Sequence, residues 1–287
     1  MIDPEIRHFL DPGRRSWESD GPRPIRAYLW EPAFLTREPP SPILLSHGTG
    51  GSAKDLAWLA RALAAAGFLV VGIDHHGNNW VDGYLPEGFA FSWERPRDLG
   101  FALAELGQER RLGPVGAVGF SLGGYTAAAT VGARIATERY RAVAEGRVPI
   151  PPTPEFPDLV ETIQARMPRE EWEPLIEQSG ADYSVPQVQA AFLICPGLGG
   201  LIDEASLTRV RRPVAIRWGG ADDNTPGPEN AFVYAKHIPG AEIRCAGESV
   251  GHYLFVDGSE SGEPVRSEVA ADAVTFFRDK LGAPLPR

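Results

Sequence analysis

The sequence has 287 residues, 43% of them hydrophobic, so it can bury a substantial core as one large domain or two small ones. A formal net charge of −10 argues against nucleic acid or an anionic membrane surface as partner, because both attract clustered positive charge. With no secretion signal at its start and no run of eighteen apolar residues, we expect a soluble, cytoplasmic protein without stable membrane association.

The first predicted elements form a strand–helix–strand unit. About 24 residues rich in Pro, Gly and charge come first, and we expect them to be irregular. An alternating strand over 25–30 follows, and the apolar run 43–46 is typical of a strand buried on both faces. A helix capped by Ser52 and ended by Gly67 leads to a second buried strand, 68–74. This order indicates a right-handed crossover in a parallel sheet.

The stretch 115–128 carries the strongest local signal. A small-residue and β-branched run ends in GFSLG at 119–123 and passes directly into alanine-rich sequence. This predicts a strand, a sharp turn and a helix that runs to about Thr137. The pattern is that of a nucleophile elbow, in which glycines flank a serine, here Ser121, because a Cβ beside it would collide with neighbouring backbone.

Residues 138–187 interrupt the alternation of strands and helices. They contain a proline-rich stretch and two short predicted helices, around 158–167 and 169–178. Because a parallel sheet would otherwise return promptly to its next strand, we interpret 138–187 as a helical cap or lid inserted over the carboxyl edge of the sheet. The core then comprises 1–137 and 188–287.

The remaining elements complete an α/β fold with a mostly parallel central sheet flanked by helices. They are a helix at about 97–106, strands at 188–195 and 214–218, a helix at 229–237, a strand at 241–246 and a closing helix at 263–281. A long aromatic loop over 75–93 is of a kind that tends to be functional. Cys195 and Cys245 each lie in an apolar run, which favours buried free thiols.

Four segments bring chemically useful groups to the carboxyl ends of predicted strands, where open parallel sheets bind ligands. They are Ser121, the glycine-rich loop 47–51, the loop 219–226 with Asp222 and Asp223, and the segment 251–255 with His252. A serine hydroxyl needs an imidazole to take its proton and a carboxylate to orient that imidazole. The order Ser, Asp, His suits such a triad, although either aspartate could be a turn former and His252 a loop histidine bound to a carbonyl.

The remaining motifs and candidate ligands predict neither a metal site nor a cofactor. His75 and His76 follow a strand, but with Asp74 they lack a second spaced pair of ligands, so we expect no metal site there. Neither G-x-x-x-x-G-K-[ST] nor a strand-turn G-x-G-x-x-G occurs, so nucleotide binding has no support. We expect His47 to bond backbone and shape its loop.

Together these stretches resemble the α/β-hydrolase superfamily. More narrowly, they resemble the predicted dienelactone hydrolase group, which includes platelet-activating-factor acetylhydrolase-like serine esterases. The matching stretches span about residues 25–280 and are LSHGTGG at 45–51, DHHGN at 74–78, RPRDL at 95–99, GFSLGG at 119–124, PGLG at 196–199, GAD at 220–222 with Pro226, and GHY at 251–253.

The resemblance implies Ser121 as nucleophile, Asp222 as the acid that orients His252, and His252 as base and then acid. It prefers Asp222 to Asp223 because such enzymes place the acid four residues before a proline. It also implies an oxyanion hole from the backbone N–H groups of Thr49 and Leu122. True dienelactone hydrolases resemble this fold but use a cysteine nucleophile, so the serine argues against that substrate.

We therefore expect a serine carboxylic-ester hydrolase that forms an acyl-enzyme on a small to medium, apolar or aromatic ester. The expected substrate-binding residues are Gly50, Trp80, Trp93 and Tyr253, and the tryptophans expected near the mouth of the pocket also include Trp58 and Trp218. A small-molecule ester is the expected partner, and homo-oligomerisation stays open. The alternatives are an amidase or peptidase on the same triad, or a non-catalytic binding protein that kept the fold.

Overall fold

An eight-stranded sheet forms the centre of the protein in a computed structural model, which describes residues 3–34, 37–148, 153–256, 258 and 260–286. The strands are β1 (Glu5–Arg15), β2 (Pro22–Trp30), β3 (Pro42–Ser46), β4 (Leu69–Asp74), β5 (Asn78–Asn79), β6 (Gly83–Tyr84), β7 (Val115–Phe120), β8 (Val188–Ile194), β9 (Val214–Trp218) and β10 (Glu242–Cys245). Their order in the main sheet is β1-β2-β4-β3-β7-β8-β9-β10, while β5 and β6 form a separate ribbon. From β4 to β10 neighbouring strands are parallel, whereas β1 and β2 pair antiparallel. The predicted, mostly parallel sheet is confirmed.

Helices cover both faces of this sheet. They are α1 (Ala57–Ala65), α2 (Pro86–Ala90), α3 (Glu94–Glu109), α4 (Leu122–Thr130), α5 (Thr137–Ala144), α6 (Leu159–Arg166), α7 (Arg169–Gln178), α8 (Glu204–Leu207), α9 (Ala231–His237) and α10 (Glu263–Leu281). On β3, Ile43 and Leu45 join the core beneath α1 and α10, whereas Leu44 joins the core beneath α3 and α4. Successive side chains of a strand point to opposite faces, so a strand buried on both faces reads as an unbroken apolar run.

The N-terminal region is a strand, not the irregular lead-in that its composition predicts. β1 pairs along its length with β2, and Phe9 is buried against the sheet. Asp11 and Arg14 are also buried, with Arg14 Nε 2.6 Å from the Asp11 carboxylate and Arg14 Nη1 2.9 Å from that of Glu94. Because strand pairing and ion pairs offset the cost of burying these charges, a charged, Pro- and Gly-containing stretch forms an edge strand.

The elbow helix is shorter than predicted. α4 ends at Thr130 instead of about Thr137, because Gly132 takes a left-handed φ of 113° and Ala133 N–H donates to Ala128 O at 3.1 Å. A glycine in this conformation is a common helix stop. The loop 75–93 is likewise more ordered than predicted, since it contains β5, β6 and α2.

The segment 138–187 contains most of α5 together with α6 and α7, and the last two confirm the two predicted helices. Trp172 and Ile176 of α7 are buried against the same core as α3 and α4. Part of the proline-rich stretch, 149–152, lies outside the described residues. In the part of the chain that the structure describes, no helix is long and apolar enough to cross a bilayer.

A buried ion network ties the N-terminal strands to α3. The Asp98 carboxylate is fully buried, 2.8 Å from Arg23 Nε, 2.8 Å from Arg14 Nη1 and 2.9 Å from His75 Nδ1. Burial by itself would raise the pKa of Asp98, but the two guanidinium groups hold that pKa well below its usual range. Burial also lowers the pKa of His75 to about 3 and that of His76 to about 4, so both are neutral near pH 7.

These neutral histidines make the fold sensitive to acid. Because the ordinary histidine pKa is about 6.5, the unfolded chain binds protons below that pH that folded His76 takes up only near pH 4. As the pH is lowered from about 6.5 to about 4, the free energy of unfolding should therefore decrease, by about 1.4 kcal/mol per pH unit for each such histidine. We expect His76→Gln, which keeps an acceptor for Trp17 N–H, to reduce this pH dependence by about 1.4 kcal/mol per pH unit, which corresponds to one proton. Urea unfolding at pH 7 and pH 5 measures it, and an unchanged slope would contradict the assignment.

Candidate active site

Ser121 occupies a strained turn between β7 and α4. Its φ is 58° and its ψ −120°, a conformation that L-residues rarely adopt. A Cβ on Gly119 would lie 1.9 Å from Gly123 O, and a Cβ on Gly123 would lie 2.0 Å from Ser46 O. Both glycines are therefore required by close backbone contacts, Gly119 across the turn and Gly123 against the end of β3, as the elbow pattern predicts.

Ser121, His252 and Asp222 lie in one hydrogen-bonded row. Ser121 Oγ is 3.1 Å from His252 Nε2, and His252 Nδ1 is 2.8 Å from Asp222 Oδ2. The second Asp222 oxygen accepts from the backbone N–H groups of Asn224 at 3.0 Å and Thr225 at 2.8 Å. Burial would raise the pKa of Asp222, but hydrogen bonds from His252 and Thr225 outweigh it and bring the pKa to about 2. The carboxylate is thus ionised and oriented toward the imidazole.

The structure brings Asp222, and not Asp223, to His252. Asp223 is exposed and lies on the rim of the adjoining cavity. Thr225, which no sequence pattern singled out, has its hydroxyl 2.9 Å from Asp222 Oδ2 and 3.3 Å from His252 Nδ1. Cys195 was also missed; its buried Sγ lies within 4.8 Å of an Asp222 carboxylate oxygen. Thr225 shares the loop of Asp222 but meets His252 only in the folded chain, and Cys195 comes from a distant segment, so no local pattern marks either residue.

The two amides expected to form an oxyanion hole, Thr49 and Leu122, line the same cavity as Ser121. Leu122 is the first residue of α4, so its N–H has no acceptor within the helix. In the loop 47–51, Gly50 N–H donates to Asn78 Oδ1 at 2.8 Å, whereas no hydrogen bond among the described residues uses Thr49 N–H. Their role in stabilising an oxyanion stays a prediction.

A buried cluster holds the loop 47–51 from behind. His47 Nδ1 donates to Gly48 O at 2.6 Å, and His47 Nε2 accepts from His75 N–H at 3.2 Å, which confirms that His47 shapes its loop. Arg95 is fully buried and donates to His47 O and, at 3.1 Å, to Asn78 Oδ1. Burial lowers the pKa of Arg95 to about 9, so the guanidinium remains charged at neutral pH. The sequence signal that could have identified Arg95 is the RPRDL stretch at 95–99, of which it is the first residue.

Asp74, His75 and His76 do not converge on a common point. Asp74 accepts from Ser52 Oγ and Ala53 N–H, both at 2.8 Å. His75 binds Asp98 and Ser46, while His76 accepts from Trp17 N–H at 3.1 Å. Each side chain therefore has a structural partner of its own.

Above Ser121 lies a cavity of about 1180 Å³ with a largely apolar lining. Its apolar and aromatic walls include Phe89, Phe91 and Phe120 of the core and Tyr140, Leu159, Ile163, Trp172 and Ile176 of the segment 138–187. Of the residues expected to bind substrate, Gly50, Trp80 and Tyr253 line it. Trp80 Nε1 donates to Asp55 at 3.2 Å, and Tyr253, 65% exposed, accepts from Asn224 at 2.9 Å.

Trp93, expected to contact substrate, instead lies behind the cavity wall. It is fully buried, with its ring centroid 5.4 Å from that of Phe91 and 5.0 Å from that of Tyr140, and those two residues line the cavity. Trp58 and Trp218 are also engaged elsewhere, since Trp58 donates to Phe255 O at 2.9 Å and Trp218 packs on Phe232. Trp93 directly precedes α3, and its side chain is buried there. The sequence of the loop does not reveal this burial.

The charged side chains around the cavity are acidic. They are Asp55, Glu155, Asp223 and Glu229, and the described lining includes no lysine or arginine. An anionic ligand would therefore meet like charge with no adjacent cation to pair with it. The lining suits an uncharged ligand.

Comparison with known proteins places the chain in a family. A model of the alpha/beta hydrolase family matches residues 43–265, and the chain belongs to this family. No curated protein sequence matches it significantly.

Solved structures share its fold at low identity. Ferulic acid esterase from Streptomyces cinnamoneus is 20% identical with a TM-score of 0.62, over 99% of this chain and 91% of that one. Esterase 2 from Thermogutta terrifontis phosphorylated by paraoxon is 20% identical with a TM-score of 0.58, over 100% and 97%. The propionate-bound form of that esterase is 18% identical with a TM-score of 0.56, over 99% and 97%. These likenesses confirm the predicted α/β-hydrolase fold.

The elbow should not tolerate a side chain at position 119. We expect Gly119→Ala to cost about 3 kcal/mol or more of unfolding free energy, because its methyl group would overlap Gly123 O. Gly107→Ala is the matched control, since a Cβ at that α3 position meets nothing within 4 Å. It should stabilise the protein by about 0.5–1 kcal/mol. Urea denaturation of both variants tests this, and equal effects would contradict the close-contact argument.

Proposed function

We propose that the protein is a serine carboxylic-ester hydrolase that works through an acyl-enzyme. The observation that carries this proposal is the row Asp222–His252–Ser121 at the floor of an apolar cavity. A serine at a strained elbow, an imidazole within hydrogen-bond reach and a buried carboxylate behind it are the parts that acyl transfer requires. Structural similarity to several esterases supports the same choice.

In the proposed reaction, His252 Nε2 takes the proton of Ser121 as Oγ attacks the ester carbonyl. The Asp222 carboxylate holds the imidazole with its proton on Nδ1, so that Nε2 is free to accept, and stabilises the imidazolium that forms. The N–H groups of Thr49 and Leu122 then stabilise the oxyanion. His252 protonates the leaving alcohol, and water activated by the same imidazole releases the acid.

The titles of the structural neighbours suggest how to extend the proposal. One esterase 2 structure is described as phosphorylated by paraoxon and another as bound to propionate, and a further neighbour is a ferulic acid esterase. By extension, we propose that Ser121 reacts with organophosphates and that the cavity takes short acyl or aromatic acid groups. The aromatic rings of the lining support this substrate class.

We also propose the narrower grouping with serine esterases related to the predicted dienelactone hydrolases. The motifs at 74–78 and 95–99 support it, because they form the buried cluster behind the loop 47–51. Residues 138–187 would form the cap over a core of 1–137 and 188–287, since the cap helices contribute much of the cavity wall.

Removing the nucleophile tests the proposal. We expect Ser121→Ala to lower kcat for p-nitrophenyl esters by roughly a million-fold, because no other group would form the acyl-enzyme. Ser92→Ala is the matched control, since Ser92 is buried and lines the cavity without contacting His252. It should keep activity within a few-fold.

The same assay across esters from acetate to decanoate locates the preferred acyl length. Turnover that persists in a pure Ser121→Ala preparation would refute the nucleophile assignment, and failure on every ester would leave amides to be tried next. Mass spectrometry after paraoxon treatment should find the phosphoryl adduct on Ser121 in the wild-type protein only.

The acidic lining predicts discrimination by substrate charge. We expect kcat/KM for the p-nitrophenyl monoester of succinic acid to be about 10-fold or more below that for p-nitrophenyl butyrate, because repulsion on the order of 1.4 kcal/mol gives that factor. Raising the ionic strength should narrow the gap. Equal kcat/KM values for the two esters would show that the lining charges do not reach the acyl group.

A further inference from the structure

A thiol lies beside the proposed triad and has no part in its mechanism. Cys195 Sγ, an Asp222 carboxylate oxygen and a His252 ring nitrogen all lie within 4.8 Å of one another, and the three residues are buried. Among the described residues this is the only such group of three metal-ligating side chains. Cys195 directly follows β8, takes a left-handed φ of 44° and has its buried sulfur beside Asp222.

We propose that Cys195, Asp222 and His252 form an inhibitory binding site for a thiophilic divalent cation such as Zn²⁺ or Cd²⁺. Thiolate, imidazole and carboxylate are the ligand types that zinc takes in proteins. The binding part of the proposal stands on the geometry alone. The inhibitory part rests on the proposed ester hydrolysis.

The three ligand atoms lie close enough together for side-chain adjustment to bring them to a tetrahedral ion. Bonds of about 2.3 Å to sulfur and about 2.0–2.2 Å to nitrogen and oxygen place the ligand atoms of such a site roughly 3.3–3.6 Å apart. The observed upper limit of 4.8 Å exceeds that range, so the ligand atoms would have to move closer together, while the 2.8 Å between His252 Nδ1 and Asp222 Oδ2 would have to widen slightly.

The charges also balance. A divalent cation with one thiolate, one carboxylate and one neutral imidazole has no net charge, which keeps the cost of burying the ion low. Binding releases one proton, from the Cys195 thiol, to solvent. The imidazole keeps its own proton, which moves from Nδ1 to Nε2 when Nδ1 becomes the ligand.

That change of tautomer explains the expected inhibition. In the metal-free protein, His252 Nε2 faces Ser121 Oγ at 3.1 Å and can accept its proton. In the metal-bound protein Nε2 already carries a proton, so the serine cannot be activated. Asp222 is occupied by the ion as well, so it no longer orients the imidazole.

The second cysteine provides a matched control. Cys245, at the end of β10, is half-buried, and its sulfur accepts from Gly247 N–H at 3.4 Å. It does not belong to the cluster of three ligands. Cys245→Ala therefore removes one thiol and leaves the proposed site intact.

Binding is measured first, without reference to activity. We expect Cd²⁺ added to the full-length protein to give the ultraviolet charge-transfer band of a cadmium thiolate, with release of one proton in weakly buffered solution. Cys195→Ser, which keeps a hydroxyl able to donate to Asp222, should lose the band, and Cys245→Ala should keep it. A band that survives Cys195→Ser, or that disappears only in Cys245→Ala, would overturn the site.

Inhibition is measured second, on p-nitrophenyl butyrate, with each variant normalised to its own rate in EDTA. Zn²⁺ should inhibit the wild-type and Cys245→Ala proteins reversibly. In Cys195→Ser the half-inhibitory concentration should rise by about 100-fold or more, because even outer-shell partners are worth 10–100-fold in metal affinity. Equal sensitivity of Cys195→Ser and wild type would refute the proposal. If no ester is hydrolysed without metal, the proposed function fails and the cadmium band alone decides the site.

Discussion

The backbone contact between the end of β7 and the start of α4 is the constraint on which the site depends. A Cβ on Gly119 would collide with Gly123 O and a Cβ on Gly123 with Ser46 O, so neither position can carry a side chain beside Ser121, whose φ is 58°. The serine hydroxyl is thereby directed out of the sheet, beside the first N–H group of α4. A hydroxyl on a relaxed loop could not be held at a fixed distance from an imidazole on another loop.

Buried charged side chains of α3 stabilise the elements around this turn. Asp98 joins strands β1 and β2 to α3 through Arg14 and Arg23, and it also binds His75 at the end of β4. Arg95, one turn earlier on α3, holds the loop 47–51 through His47 O. The N-terminal hairpin and the loop beside the serine are therefore parts of one hydrogen-bonded unit. Such a network is stable only when every charge has a partner, and this requirement fixes its geometry.

The surroundings of Asp222 combine two properties that follow from the same burial. Inside this enclosure, hydrogen bonds from His252 and Thr225 outweigh the effect of burial and keep the carboxylate ionised and aimed at His252. The same enclosure puts a thiol where a soft cation could use all three side chains. The proposed catalytic strength of the row and its proposed sensitivity to metal thus have one origin.

Local patterns in the sequence determined the main-sheet strands other than β1, the elbow, the capped turn at Ser52 that leads into α1, and the loops that hold Ser121, Asp222 and His252. They succeed because strand and helix periodicity, capping and glycine close contacts act between residues near in sequence. The roles of those residues remain predictions. Only the tertiary structure decided that β1 is a strand, that Trp93 lies behind the cavity wall and that Cys195 borders Asp222. Each depends on contacts between residues far apart in the chain, which no local pattern records.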